Sequence, residues 1–261
     1  MKALIASLLA GCLWYGAGEA RATEATASFK VLKLEGNKVS WQKAVQRPGG
    51  VIHFGVVAEA MEFSGARNCR KMAPLREIVA ESGLAVAAVR EEIAAAFAMW
   101  QAVANITFRE VADPAQADIL IGAQAEPAGW AFADVFYDAQ SSESVKPISK
   151  ALICLNPAKR WKIGFDGDLT VYDLRYTIAH EIGHAIGLDH PNGAGQIMGY
   201  RYDEQFRRLQ LGDVQGAVLI YGEREPGSAA VAAEGTVPHR NAGALGLAKR
   251  WGSRAFTARP H

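Results

Sequence analysis

No sign of charge dominates this chain: 28 lysines and arginines stand against 27 aspartates and glutamates. That balance gives no electrostatic reason to expect a nucleic acid or an anionic membrane as partner. There is no internal repeat of about 20–50 residues, so solenoids and propellers are set aside. Cysteine is scarce, with three in 261 residues, too few for a disulfide-built scaffold. The longest apolar run, Ala3 to Ala17, is short for a membrane span. It follows Met1-Lys2 and precedes the small-residue spacing Ala20-Arg21-Ala22, so it reads as a secretory signal peptide cut near Ala22. Leu9-Ala10-Gly11-Cys12 has the form of a lipobox, and acylation there would tether the protein to a membrane. The eleven residues before Cys12 are few for a signal segment, which favours plain export to a secreted or periplasmic location.

What remains is an ordinary globular composition, half apolar, enough for one substantial core or at most two small domains. Residues 23–50 contain two short strands, with a turn expected at Gly36-Asn37. Val51 to Val57 is a β-rich run. Residues 58–82 show no clean periodicity beyond a short helix near Leu75 to Ala80. Leu84 to Ala104 is a helix, since Val86, Val89, Ile93, Phe97 and Trp100 recur at spacings of three and four and share a face. Strands are expected at Asn105–Val111, Asp118–Gly122, Trp130–Tyr137 and Ala151–Leu155, with a serine-rich loop at 139–150. Strand, helix and strand in this order suggest a crossover in a mostly parallel sheet. Thr170 and Asp173 have helix-start spacing, and the helix that follows carries Leu174, Ile178, Ile182 and Ile186 as far as Gly187. Leu211 to Tyr221 is a last helix closed by Gly222. From residue 223 apolar periodicity stops, and a mobile tail is expected over 223–261.

Only six histidines are present, yet His180, His184 and His190 fall within eleven residues. Four residues apart on a helix, His180 and His184 lie on one face, about 6 Å apart along the axis. Two such rings can converge on one cation. Glu181 follows the first ligand and points beside the metal, which suits a base that deprotonates a metal-bound water. A straight helix would carry His190 past the ion. Gly187 can adopt the positive φ that ends a helix in a left-handed turn and lets His190 double back. Three neutral nitrogens leave a fourth position open, the arrangement of a catalytic zinc.

The pattern H-E-x-x-H-x-x-G-x-x-H, with Met198 following as a Met-turn, resembles the metzincin zinc peptidases, and HEIGHAIGLDH is most similar to the matrixin and serralysin branch. Weaker likeness extends over about 51–222, in VIHFGVV, ADILIGA and LQLGDVQGAVLIYG. The resemblance implies an α/β (α+β) metzincin-like catalytic domain: a twisted, mostly parallel five-stranded sheet, two long helices, and a small C-terminal subdomain with one helix. It implies an endopeptidase with one catalytic Zn2+. The substrate would bind as an extended strand against an edge placed at Gly129 to Val135, and Met198 would be an apolar floor under the histidines. A monomer is expected.

The sequence departs from the matrixin pattern in several places. There is no cysteine switch of the PRCGxPD form and no histidine- and aspartate-rich loop before ICLNP, which puts a second, structural zinc in doubt. Asp166 and Asp168 could bind Ca2+, but a solvated turn is favoured. Cys69 either caps the metal as a thiolate or pairs with Cys154, and export favours the pair. Tyr200 stands where matrixins usually carry proline. It is either a donor to the developing oxyanion, as in serralysins and astacins, or an aromatic wall of the cleft. Two other functions fit the same metal site: a zinc-stabilised binding protein without turnover, and an amidase acting on a cell-wall amide. Glu181 argues against the first; the motif does not separate peptidase from amidase.

Overall fold

The computed structural model describes residues 28–45 and 50–224. The expected signal peptide with Cys12, and residues 225–261 of the expected tail, lie outside them. In chain order the first elements are strands β1 (Lys30–Val31), β2 (Lys33–Leu34) and β3 (Asn37–Ser40), then the one-turn helix α1 (Gln42–Val45). β4 (Val51–Val56), β5 (Met61–Glu62), β6 (Lys71–Ala73) and a 3-10 turn (Leu75–Val79) lead to helix α2 (Val86–Val103). β7 (Thr107–Glu110), β8 (Ile119–Gln124), β9 (Ala131–Tyr137), β10 (Lys146–Leu155), β11 (Trp161–Lys162) and β12 (Tyr172–Asp173) precede helix α3 (Leu174–Ala185). β13 (Leu188–Asp189) and helix α4 (Leu211–Tyr221) complete the set.

β7, β4, β8 and β10 run parallel, and β9 closes the order as an antiparallel strand on β10. These five strands and helices α2 and α3 are the expected architecture. Four short strands are added to it. The β2–β3 hairpin joins β10 at Lys146–Pro147, and the β5–β6 hairpin joins β8 at its end. β8 is buried along its whole length, as a strand covered on both faces must be.

Helix α2 buries Val89, Ile93, Phe97 and Trp100 against the sheet and α3, and each such side chain removed from water contributes about 1.5–3 kcal/mol. Val86, expected on the same face, is exposed, as are its neighbours Ala85 and Ala87, and burial in α2 begins at Val89.

Other differences have local causes. The first hairpin turns at Glu35-Gly36, both at positive φ, so Asn37 is already extended in β3. β10 begins at Lys146, inside the expected serine-rich loop, because β3 and β9 both pair with residues there. Residues 58–74, part of the stretch without clean periodicity, contain the β5–β6 hairpin. Helix α3 is capped by Asp173, whose side chain accepts from Tyr176 N–H at 2.8 Å, while Thr170 is spent on Asp168. The expected tail is held at its start: Glu223 bridges to Ala104, and Arg224 donates to Gln101 O at 2.7 Å.

Candidate metal centre and cleft

Helix α3 carries His180 and His184 one turn apart, and its apolar side, Leu174, Ile178, Ile182 and Ala185, is buried in the core. Trp100 of α2 donates its indole N–H to Ala179 O at 2.9 Å and pins the helix where the first ligand emerges. The helix ends at Gly187, whose φ is +101°. Glycine is needed here twice over. The dihedral is left-handed, and a Cβ would lie 2.5 Å from Val39 O. The N-terminal strands wrap this turn: β1 pairs antiparallel with β13, and Leu32 N–H donates to Gly187 O at 2.8 Å.

The turn returns His190 to the other two histidines. Its Nε2 lies 3.0 Å from His180 Nε2 and 3.2 Å from His184 Nε2. The other ring nitrogens fix the tautomers. His180 Nδ1 is 2.7 Å from Ile197 O, and His184 Nδ1 is 2.9 Å from Leu188 O. A carbonyl only accepts, so both Nδ1 atoms carry the proton and both Nε2 atoms present lone pairs. Burial keeps the rings neutral, holding His180 down to about 3 and His184 down to about 4. Lone pairs brought this close repel unless a cation lies between them. Tetrahedral bonds of 2.0–2.1 Å would separate the nitrogens by about 3.3 Å, so the donor set fits zinc. Among the described residues this is the one group of three or more His, Cys, Asp or Glu side chains that could hold a metal ion.

Glu181 is buried beside the triad, and none of its hydrogen-bonding capacity is met by a described side chain. Burial, reinforced by the charge of Asp134, pushes its carboxyl up to about 8. Met198 packs so closely against Gly183 of α3 that a Cβ there would overlap its sulfur. The Met-turn is held from below by Asp213 of α4, whose carboxylate accepts from Ile197 N–H at 2.9 Å and Met198 N–H at 3.0 Å. Asp213 and Gly183 were not singled out from the sequence. Asp213 had a readable signal, because Gln210 and Asp213 form a capping box at the start of α4.

The triad opens into a cleft of about 800 Å³. One bank is β9, and among the described residues its outer edge pairs with no strand. The opposite bank is the segment after the Met-turn. Its Tyr202 stacks on Tyr172 at 4.1 Å, and Tyr172 stacks on Trp130 at 3.9 Å. The segment is tied to the helices by Arg207, which bonds Glu92 of α2 at 2.6 Å and Asp173 at 2.9 Å. Tyr200 is 79% exposed at the mouth of the cleft, edge-on to His190 with ring centroids 5.2 Å apart.

Cys69 is not at the metal. It is disulfide-bonded to Cys154 on the far face of the sheet. Asp166 and Asp168 form a turn: Asp166 is paired with Lys162, and Asp168 accepts from Thr170 N–H at 2.9 Å.

The matrixin model matches residues 77–222. Mouse matrix metalloproteinase-19 is 32% identical over 158 residues, which are 56% of this chain and 27% of that protein. Metalloendoproteinase 1-MMP of Arabidopsis thaliana is 28% identical over 134 residues, 49% of this chain and 36% of that protein. The chain thus matches about a third or less of the length of these relatives. The family model covers more than half of the chain, including every residue of the histidine triad and the Met-turn, and the chain belongs to the matrixin family, peptidase M10.

Proposed function

We propose that this protein is an exported zinc endopeptidase. The observation that carries the reading is Glu181: a buried carboxyl without a structural partner, set beside three converging imidazole lone pairs and open to the cleft. His180, His184 and His190 would hold the ion. A bound zinc supplies Lewis-acid polarisation of a carbonyl and acidifies water. Glu181 does the proton work. Desolvation raises its carboxyl, which suits it to take a proton from water and return it to the leaving amine. A zinc-stabilised binding protein would have no use for a buried, unpartnered carboxylate at this point.

The substrate is a peptide bound in extended form. The unpaired edge of β9 offers N–H and C=O groups to a further antiparallel strand, a mode that a non-peptide amide would not use. The Trp130–Tyr172–Tyr202 stack forms an aromatic wall for a side chain next to the scissile bond. Tyr200 acts at the mouth, as donor to the oxyanion or as wall. Export accords with the Cys69–Cys154 disulfide, since such bonds persist in oxidising compartments.

Cleavage of a peptide library, measured with and without a chelator, tests the reading. Wild type should cleave and chelator should stop it. Glu181→Gln should keep its zinc by elemental analysis and lose turnover. Retained turnover in that variant, or a wild type inert to every peptide, refutes the assignment.

A further inference from the structure

The cleft uses one face and one edge of β9; the other face is gripped by a segment that precedes the family-matched residues. Side chains alternate along the strand. Ala131, Ala133 and Val135 line the cleft and pack on the main core. Phe132 and Phe136 pack on a second, smaller core with Cys69, Met72, Leu152 and Cys154. Between them on that apolar face stands Asp134, a buried carboxylate. It accepts from Asn68 N–H at 2.7 Å, Cys69 N–H at 2.8 Å and Asn68 Nδ2 at 3.0 Å. Two consecutive main-chain donors and an amide thus close on one carboxylate. The segment that supplies them is anchored covalently, because Cys69 is bonded to Cys154 of β10, and Cys154 is the register partner of Phe132 in β9.

β9 needs such support. It has one strand neighbour among the described residues, and edge strands with little packing are the first to open. An extended ligand gains affinity only if the edge it joins is already held at strand pitch, since ordering it on binding costs free energy. We propose that Asp134, gripped by residues 68–69 and anchored through Cys69–Cys154, is a positioning residue that presets β9 to receive the peptide. The proposal rests on the peptidase reading. Neither the disulfide nor Asp134 is among the three converging ligands, so loss of the clamp should appear in KM and leave zinc content alone.

The test compares wild type with Cys69→Ala/Cys154→Ala and with Asp134→Ala. The cysteine pair removes the anchor while leaving every charge near Glu181 in place; Asp134→Ala removes both acceptor oxygens of the grip while leaving the anchor. For a peptide long enough to span β9, each variant should raise KM about tenfold with zinc stoichiometry unchanged, and the cysteine pair, which leaves the charges near Glu181 in place, should keep kcat within about twofold. Amide hydrogen exchange over residues 131–137 should quicken in both, a readout independent of turnover. A wild type that cleaves peptide, with KM and β9 exchange unaltered in whichever variant folds, overturns the clamp. A wild type that cleaves nothing overturns the peptidase reading, and β9 exchange then still decides the clamp.

Discussion

Replacing Asp213 by asparagine should loosen a metal site that Asp213 does not touch. Its carboxylate, 1% exposed, takes N–H groups from Ile197, Met198 and Gln210 at 2.9, 3.0 and 2.8 Å. Asparagine keeps one acceptor oxygen and turns an NH2 group toward a donor, so at least one buried N–H loses its partner. A hydrogen bond to a charged group contributes about 1.5–3 kcal/mol, and an orphaned buried donor costs about 1–3 kcal/mol. A loss of about 3 kcal/mol is expected, which for a domain of this size lowers Tm by about 6–12 °C. The second effect is the diagnostic one. Ile197, whose N–H Asp213 holds, offers its C=O to His180 Nδ1 at 2.7 Å. Removing a partner that orients a metal-ligating histidine weakens binding by about 10–100-fold, and one step of indirection puts Asp213→Asn at about tenfold. Zinc competition against a chromophoric chelator measures this, with thermal unfolding in parallel. Gln210→Ala is the control: it removes the capping side chain of α4, costs about 1 kcal/mol and leaves the Met-turn bonds intact. If Asp213→Asn loses stability yet binds zinc as wild type does, α4 does not hold the ligand carbonyl and the reasoning fails.

Three further outcomes follow from the same geometry. Gly183→Ala should destabilise by about 1–3 kcal/mol through overlap with Met198, although alanine is the better helix former by about 1 kcal/mol, so a gain in urea midpoint would contradict the packing. Gly187→Ala forces a side chain into a left-handed dihedral, at about 1–2 kcal/mol, and against Val39 O; it should lower both Tm and zinc affinity because His190 follows the turn. Tyr200→Phe separates the two roles left to that residue: a lower kcat at unchanged KM marks a transition-state donor, and unchanged kinetics leave the ring as wall.

The metal centre was legible because its instructions are local. Two histidines at helical spacing, a glutamate beside the first, and a glycine that permits the return each state their geometry within eleven residues. The helices were legible for the same reason, since periodicity reports a buried face wherever the opposite wall lies. What could not be read are the residues whose meaning depends on a distant partner. Asp134 looks like a polar residue in a strand until Asn68 and Cys69 close over it. Gly183 looks like a weak helix position until Met198 arrives beneath it. Residues 200–210 show no pattern, since they are ordered by Arg207 reaching Glu92 and Asp173, more than a hundred and more than thirty positions away. The hairpin turn and the start of β10 went astray on the same principle: register is chosen by the strand alongside, not by the turn residues alone. The division is chemical as well as geometric. The three histidines and the proposed base must be particular residue types, which a sequence displays, whereas a contact that supports them needs only a donor, an acceptor or an empty space at the right place. Substitutions at Asp134, Gly183 and Asp213 therefore ask what the motif cannot: whether the frame around the three histidines is as necessary as the histidines themselves.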